Sequence, residues 1–309
     1  TFQKYLHTPV NGNNINNHPI RALAEDQYHN IWIGTWGGGI LVYNQEQDQF
    51  RHITDSEDES YPDLSFVYTI HYGSQGDMWV GTSGGLAQFN VEDYSLIQYQ
   101  HDSTNSTSLS NNRVLAITED HIGNLWIGTL GGGLNYFDVK SGTFEHITHQ
   151  AGNPRSLSHN DIYSKLYDSQ QRLWVGTWDS GLNLMHGETK EFTRFRHRQG
   201  DLSSISNDQV WSIAEDASGR IWVGTDNGLS LFNEEDSTFS VYRHDSFDPK
   251  SLSANSVKCI LADHYGQMWV GTYDGGVNLY NPSVKQIQHY YQKQGQSSLS
   301  GNNVSAEVH

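Results

Sequence analysis

The run Leu125-Trp126-Ile127-Gly128-Thr129, followed by Leu130-Gly131-Gly132-Gly133-Leu134, decides the fold because it does not stand alone. Related runs lie at Ile31–Thr35, Met78–Thr82, Leu173–Thr177, Ile221–Thr225 and Met268–Thr272. Their tryptophans are 47, 47, 48, 48 and 47 residues apart. A fixed period in the 40s with only short β-like segments inside it is the signature of a blade-repeat architecture.

Aligned on Trp126, each copy holds four segments: Val114 to Glu119, the Trp-Ile-Gly-Thr run, Leu134 to Asp138, and Phe144 to His149. All are short and rich in β-branched or aromatic residues, with Gly, Asn, Asp and Ser between them. No helical spacing is sustained over 12 residues, so helices should be nearly absent. The expected fold is all-β, a β-propeller of four-stranded antiparallel blades. The complete repeats run over about 18–55, 64–102, 112–150, 160–198, 208–245 and 255–292, with partial strands at 2–7 and 303–308. The partial strands favour a seven-bladed ring, with six blades as the alternative. The expectation is one domain over 1–309, a piece of a longer receptor.

The turns carry their own chemistry. Asp120 to Asn124, echoed at Asp216–Gly219 and Asp263–Gly266, pairs an Asp that binds nearby amides with a Gly free to take φ > 0. His29 and Gln171 replace that glycine in copies one and four, so those turns should differ slightly. Glycine always precedes the third segment (Gly39, Gly85, Gly133, Gly181, Gly228, Gly276), which points to a backbone that a Cβ would obstruct. The loop before it is one residue shorter in copies two and five. Copies are joined by Ser-Leu-Ser-x-Asn, whose Leu should tuck over the blade edge. In copy two this becomes Tyr61-Pro62-Asp63-Leu64 after the acidic stretch Asp55–Glu59, read as a solvated loop.

The repeated Trp is read as an anchor between blades, burying about 150–250 Å² for roughly 4–6 kcal/mol gross. His7, His101, His149, His197 and His244 recur one per blade. They are read as structural hydrogen-bonding groups, because side chains on separate blades do not converge on one metal.

Uniform positions belong to the scaffold, so function is sought where the copies disagree. Trp36 and Trp178 directly follow the Gly-Thr, where other copies have Ser83, Leu130, Asp226 and Tyr273. Trp211 is second in the first strand, where others have Arg21, Tyr68, Leu115, Tyr163 and Lys258. The first strand of a blade starts, and the second ends, at the same side. These positions should therefore ring one mouth of the propeller, where aromatic faces beside polar groups suit an amphipathic ligand such as an oligosaccharide. The candidate ligand-binding residues are Arg21, Trp36, Tyr68, Tyr163, Trp178, Trp211, Asp226, Lys258 and Tyr273.

Composition narrows the partners. Of 309 residues, 35 are acidic and 18 basic, for a net charge of -17. That balance argues against nucleic acid or an anionic membrane as the main partner. No apolar run is long enough to span a membrane, so no direct insertion is expected. Cys259 is the single cysteine, which excludes an internal disulfide and a thiolate metal cluster. No nucleophile-elbow, zinc-protease or phosphate-loop motif is present, and neither a metal nor a cofactor is expected.

The phrase Glu119-Asp120-x-x-Gly123-Asn124-Leu125-Trp126-Ile127-Gly128-Thr129-x-Gly-Gly-Gly-Leu134-x-x-Phe137-Asp138 resembles the two-component regulator propeller repeat. The resemblance covers essentially the whole chain. It implies the periplasmic sensor region of a hybrid histidine kinase or a related receptor with a diguanylate cyclase output. Many relatives respond to oligosaccharides released from complex glycans, and an attached domain would supply a homodimer. The family's propeller has no single catalytic motif, so the resemblance implies no enzyme in this chain. A protein-interaction scaffold is the alternative. A lyase resembling streptogramin lyase comes third, and would need a histidine and an acid converging in the funnel.

Overall fold

The computed structural model describes residues 18–53, 64–187, 189–281, 286–293 and 298–304. Their regular structure is β throughout, and no helix among them is long and apolar enough to cross a membrane. The chain divides after Ile147 into two compact units, and each holds three blades. In the N-terminal unit, blade 1 comprises Ile20–Glu25, Asn30–Thr35, Ile40–Asn44 and Gln49–His52. Blade 2 comprises Val67–Tyr72, Asp77–Thr82, Gly85–Asn90 and Leu96–Tyr99, and blade 3 Val114–Glu119, Leu125–Thr129, Gly133–Asp138 and Thr143–Ile147. In the C-terminal unit, blade 4 comprises Ile162–Tyr167, Leu173–Thr177, Leu182–His186 and Glu191–Phe195. Blade 5 comprises Val210–Glu215, Ile221–Thr225, Gly228–Asn233 and Thr238–Tyr242, and blade 6 Val257–Ala262, Met268–Thr272, Gly276–Asn281 and Gln286–Tyr290.

Every sheet is an antiparallel meander in sequence order, the β-propeller blade. Six such sheets are present among the described residues, and the preference for seven finds no support. The strand expected at 2–7 and most of that at 303–308 lie outside the described residues, as do His7 and the Asp55–Glu59 stretch.

The repeated Trp-x-Gly-Thr assigns one task to each residue. The tryptophan packs on an aromatic of the next blade's third strand: Trp32 on Phe89 at 5.6 Å, Trp79 on Phe137 at 5.8 Å, Trp174 on Phe232 at 5.0 Å and Trp222 on Tyr280 at 5.7 Å. The core accordingly lies between neighbouring blades, as apolar clusters joining blades 1 and 2, 2 and 3, 4 and 5, and 5 and 6. The indole N–H donates to the carboxylate of the turn Asp six residues earlier, Trp32 to Asp26, Trp174 to Asp168, Trp222 to Asp216 and Trp269 to Asp263, at 2.8–3.0 Å. Blades 2 and 3 differ. Blade 2 has Gly73 at the Asp position, and in blade 3 Tyr136 donates to Asp120 and lies tilted against Trp126 with centroids 4.6 Å apart. The glycine admits the next blade: a Cβ on Gly224 would lie 2.7 Å from Val257 Cγ1. The threonine hydroxyl donates to the carbonyl of the glycine before the third strand in all six blades, at 2.9–3.0 Å.

Those glycines have positive φ, near 70–79° in four blades and 127–128° in blades 2 and 5, where the loop is one residue shorter. The Asp turns, however, do not differ as expected. His29 and Gln171 take φ of 61° and 62°, and their amides bond the Asp carbonyl just as Gly123, Gly219 and Gly266 do. The left-handed conformation costs a non-glycine residue about 1–2 kcal/mol. The amide bonds to a charged carboxylate, each worth about 1.5–3 kcal/mol, outweigh it.

The histidines seal the connections. His101, His149, His197 and His244 bond through Nδ1 to the carbonyls of Leu109, Leu157, Ile205 and Leu252 at 2.6–2.8 Å. Their own amides donate to Asn112, Asn160, Asp208 and Asn255. The Leu or Ile beneath is fully buried in each. This explains the spacing of Ser-Leu-Ser-x-Asn.

Candidate functional site

In every blade the residue after the second strand donates its amide to the carbonyl of the residue before the first strand. The six bonds are Trp36 to Pro19, Ser83 to Phe66, Leu130 to Arg113, Trp178 to Asp161, Asp226 to Gln209 and Tyr273 to Ser256, at 2.8–3.3 Å. The strand start and the strand end thus meet at one rim of each blade. The second residue of each first strand (Arg21, Tyr68, Leu115, Tyr163, Trp211, Lys258) is skipped in the pairing register. It is the extra residue of a β-bulge, a device that bends the strand and re-aims a side chain. Three variable positions per blade therefore meet at the rim.

The candidates gather in two groups, one in each unit. In the N-terminal unit Trp36 is edge-on to Tyr68 at 5.4 Å and to Phe66 at 5.2 Å, with the Arg21 guanidinium 5.5 Å from the Trp36 ring. Trp36 remains 42% exposed and Phe66 37%. Phe66, absent from the sequence expectation, sits where blade 2 departs from the connection motif, which hid its rim position.

In the C-terminal unit Tyr163, Trp178 and Trp211 form a triangle with centroids 5.0–5.6 Å apart. Lys258 Nζ lies 3.6 Å from the Trp211 ring centre and 6.0 Å from that of Tyr273. Asp226 accepts from Ser256 at 2.7 Å, Lys258 at 3.1 Å and Trp211 Nε1 at 3.4 Å. Burial pushes the Asp226 carboxyl up, but those hydrogen bonds and the Lys258 charge hold it below the usual carboxylate range. The lysine occupies a face of Trp211, while Trp178 and Tyr273 stay exposed at 37% and 50%.

His159 stands beside Asp179, the residue after Trp178. Its Nδ1 accepts the Asp161 amide at 3.0 Å, and its ring nitrogens lie 3.7 Å from Asp161 and 3.8 Å from Asp179 carboxylate oxygens. It occupies the x of Ser-Leu-Ser-x-Asn, a position that varies between copies. Comparing the copies there could have found it.

An open cleft of about 390 Å³ lies elsewhere in this unit, under the 244–253 connection, lined by His244, Asp245, Asp248, Asp274, His289 and Tyr291. Its histidines bond main-chain carbonyls, and Asp245 and Asp248 hold loop amides. Its polar groups serve the connection, and the aromatic rim is the better site.

The two-component regulator propeller model matches the chain six times, at residues 14–37, 60–84, 108–131, 156–179, 204–227 and 251–274. The chain belongs to this family of propeller repeats. Among solved structures it is similar to the extracellular domain assigned to hybrid two-component system BT3049 of B. thetaiotaomicron. That match has 21% identity and a TM-score of 0.77, over 94% of this chain and 37% of that one. It is also similar to virginiamycin B lyase from Staphylococcus aureus, in a structure with quinupristin, at 12% identity and TM-score 0.69 over 100% of this chain and 94% of that one. PorZ, a surface component of the type-IX secretion system of Porphyromonas gingivalis, matches at 17% identity and TM-score 0.69 over 96% and 44%. These likenesses establish the propeller fold. The chain spans 37–42% of the one- and two-component-system extracellular domains it matches. No curated relative matches it in sequence.

Proposed function

We propose that this chain is the ligand-sensing propeller module of a bacterial signal-transduction receptor, placed outside the cytoplasm, that binds a carbohydrate or similar small molecule on its aromatic rims. The observation that carries the reading is that exposed aromatics meet where the repeats disagree, on bulged or loop positions the scaffold does not need. A sugar ring stacks on an exposed indole or phenol face while neighbouring polar groups take its hydroxyls. The repeat family and the likeness to extracellular receptor domains support a sensory role and a periplasmic setting. Binding would alter the packing or dimerisation of attached domains. Calorimetric titration against a library of glycan fragments tests this. A sugar that binds wild type but not Trp178→Ala or Trp36→Ala supports it. A stable complex with another protein and no sugar bound would favour an interaction scaffold instead.

One observation favours a second reading. His159 between the carboxylates of Asp161 and Asp179 is the histidine–acid convergence that a lyase or hydrolase would need. The proposed module binds without turnover, so quinupristin incubated with it should elute unchanged in chromatography. A new product that disappears with His159→Ala would reverse the order of the two readings.

A further inference from the structure

The rims of the two units differ in charge, in a way opposite to what the whole chain suggests. In blades 4–6 the three rim positions of each blade include Asp161 and Asp226 against Lys258, whose charge Asp226 already neutralises at 3.1 Å. In blades 1–3 the corresponding positions hold Arg21 and Arg113 and no carboxylate. Both arginines are exposed, and among the described residues neither forms an ion pair. Elsewhere Arg155, Arg172, Arg196, Arg198 and Arg220 each pair with an acid, while Arg51 lies over the Tyr94 ring and Arg194 and Arg243 donate to main-chain carbonyls. On a chain with 35 acidic and 18 basic side chains, carboxylates are in surplus, so rim positions that carry two arginines and no carboxylate reverse the overall balance locally.

A second observation falls in the same place. Ser83 stands at the rim of blade 2, which lies between the blades carrying the arginines, and its Oγ is buried with no hydrogen-bond partner. A buried hydroxyl left without a partner costs free energy that a ligand can return. Arg21 and Arg113 can only donate, and Ser83 can donate through its hydroxyl hydrogen. Trp36, Phe66 and Tyr68 supply the apolar faces beside them.

We infer that the N-terminal rim takes an acidic saccharide, a sugar bearing a carboxylate or a sulfate ester. The ring packs on Trp36, and the anionic oxygens accept from Arg21 and Arg113. This rests on the rim-binding reading above and adds the sign of the ligand. The overall negative charge does not oppose it at contact range, because salt screens charges beyond about 8 Å at physiological ionic strength. A charge-assisted arginine bond at the rim acts well inside that distance.

The test is calorimetric titration of the protein with tetragalacturonate, a sulfated carrageenan tetrasaccharide and neutral galactotetraose. The acidic sugars should bind and the neutral one should bind at least tenfold more weakly. Which of the two acids binds better distinguishes carboxylate from sulfate. Arg21→Gln and Arg113→Gln should each weaken the acidic ligand about tenfold or more, with melting temperatures unchanged, since neither arginine holds another residue in an ion pair. Equal or tighter binding of galactotetraose, lost in Trp36→Ala, would overturn the acidic specificity and leave the rim reading standing. Undiminished affinity in both arginine variants would likewise overturn it. Absence of binding by all three sugars would also overturn it; if no other glycan binds either, the rim reading falls with it.

Discussion

Tryptophans 174 and 178 stand four positions apart and do opposite things. Trp174 is fully buried, donates to Asp168 at 2.8 Å and packs on the next blade, whereas Trp178 is 37% exposed at the rim. Repetition told them apart in the sequence: a residue present in every copy serves the fold, and one that changes between copies is free for something else. The same comparison failed at Gln171. Its left-handed φ of 62° matches that of the glycines it replaces, because Asp168 accepts the amides of Gln170 and Arg172 whatever stands between them. The residue identity predicted a different turn, and the carboxylate overrode it. Gln171→Gly should therefore raise stability in denaturant titration by about 0.5–1 kcal/mol, the relieved strain less the added chain entropy. A lower midpoint would show that the Gln171 side chain contributes more than its backbone strain costs.

Strands and turns were legible from short β-rich segments and Gly or Asp punctuation, and the expected limits fall within a residue or two of the observed ones. Two features of the elements were not. The bulge in every first strand leaves no visible gap in the apolar pattern, so the reason the variable residue turns to the rim appears only in the pairing. Glu119 and Glu215, each just before a turn aspartate, reach across blades: Ser74 N donates to Glu119 and Ser169 N to Glu215, each at 2.8 Å from the preceding blade. Burial pushes the Glu119, Asp216 and Asp263 carboxyls up. It is outweighed by bonds from His71 and Ser74 to the first, from Trp222 and Arg220 to the second, and from the Gln267 amide and Trp269 to the third, so all three lie below their ordinary values. Groups lowered in this way stabilise the fold fully above their unfolded values, 4.5 for Glu and 3.8 for Asp, and lose that contribution as pH falls through the folded ones. The melting temperature should stay level from pH 7 to about 5 and drop below about 4. Asp216→Asn should lower it at neutral pH and flatten the acid drop. An unchanged acid slope in that variant would remove Asp216 from the account.

At the scale of the molecule, composition sets expectations about partners but does not describe any one rim. A net charge of -17 says nothing of where cations stand; comparing the copies placed Arg21 at the mouth, whereas Arg113 could be located only once the blade rims were known. The ligand's chemistry is the least legible part, because it depends on side chains from different blades meeting. The central claim is that uniform positions hold the blades while variable rim positions bind. Trp174→Ala and Trp178→Ala, compared in one experiment that reads melting temperature and affinity for a bound glycan, test it most directly. Trp174→Ala should lose about 3–5 kcal/mol of stability, and Trp178→Ala should melt near wild type while binding at least tenfold more weakly. A stable Trp174→Ala, or a Trp178→Ala that unfolds and binds as wild type when folded, would contradict the assignment of both.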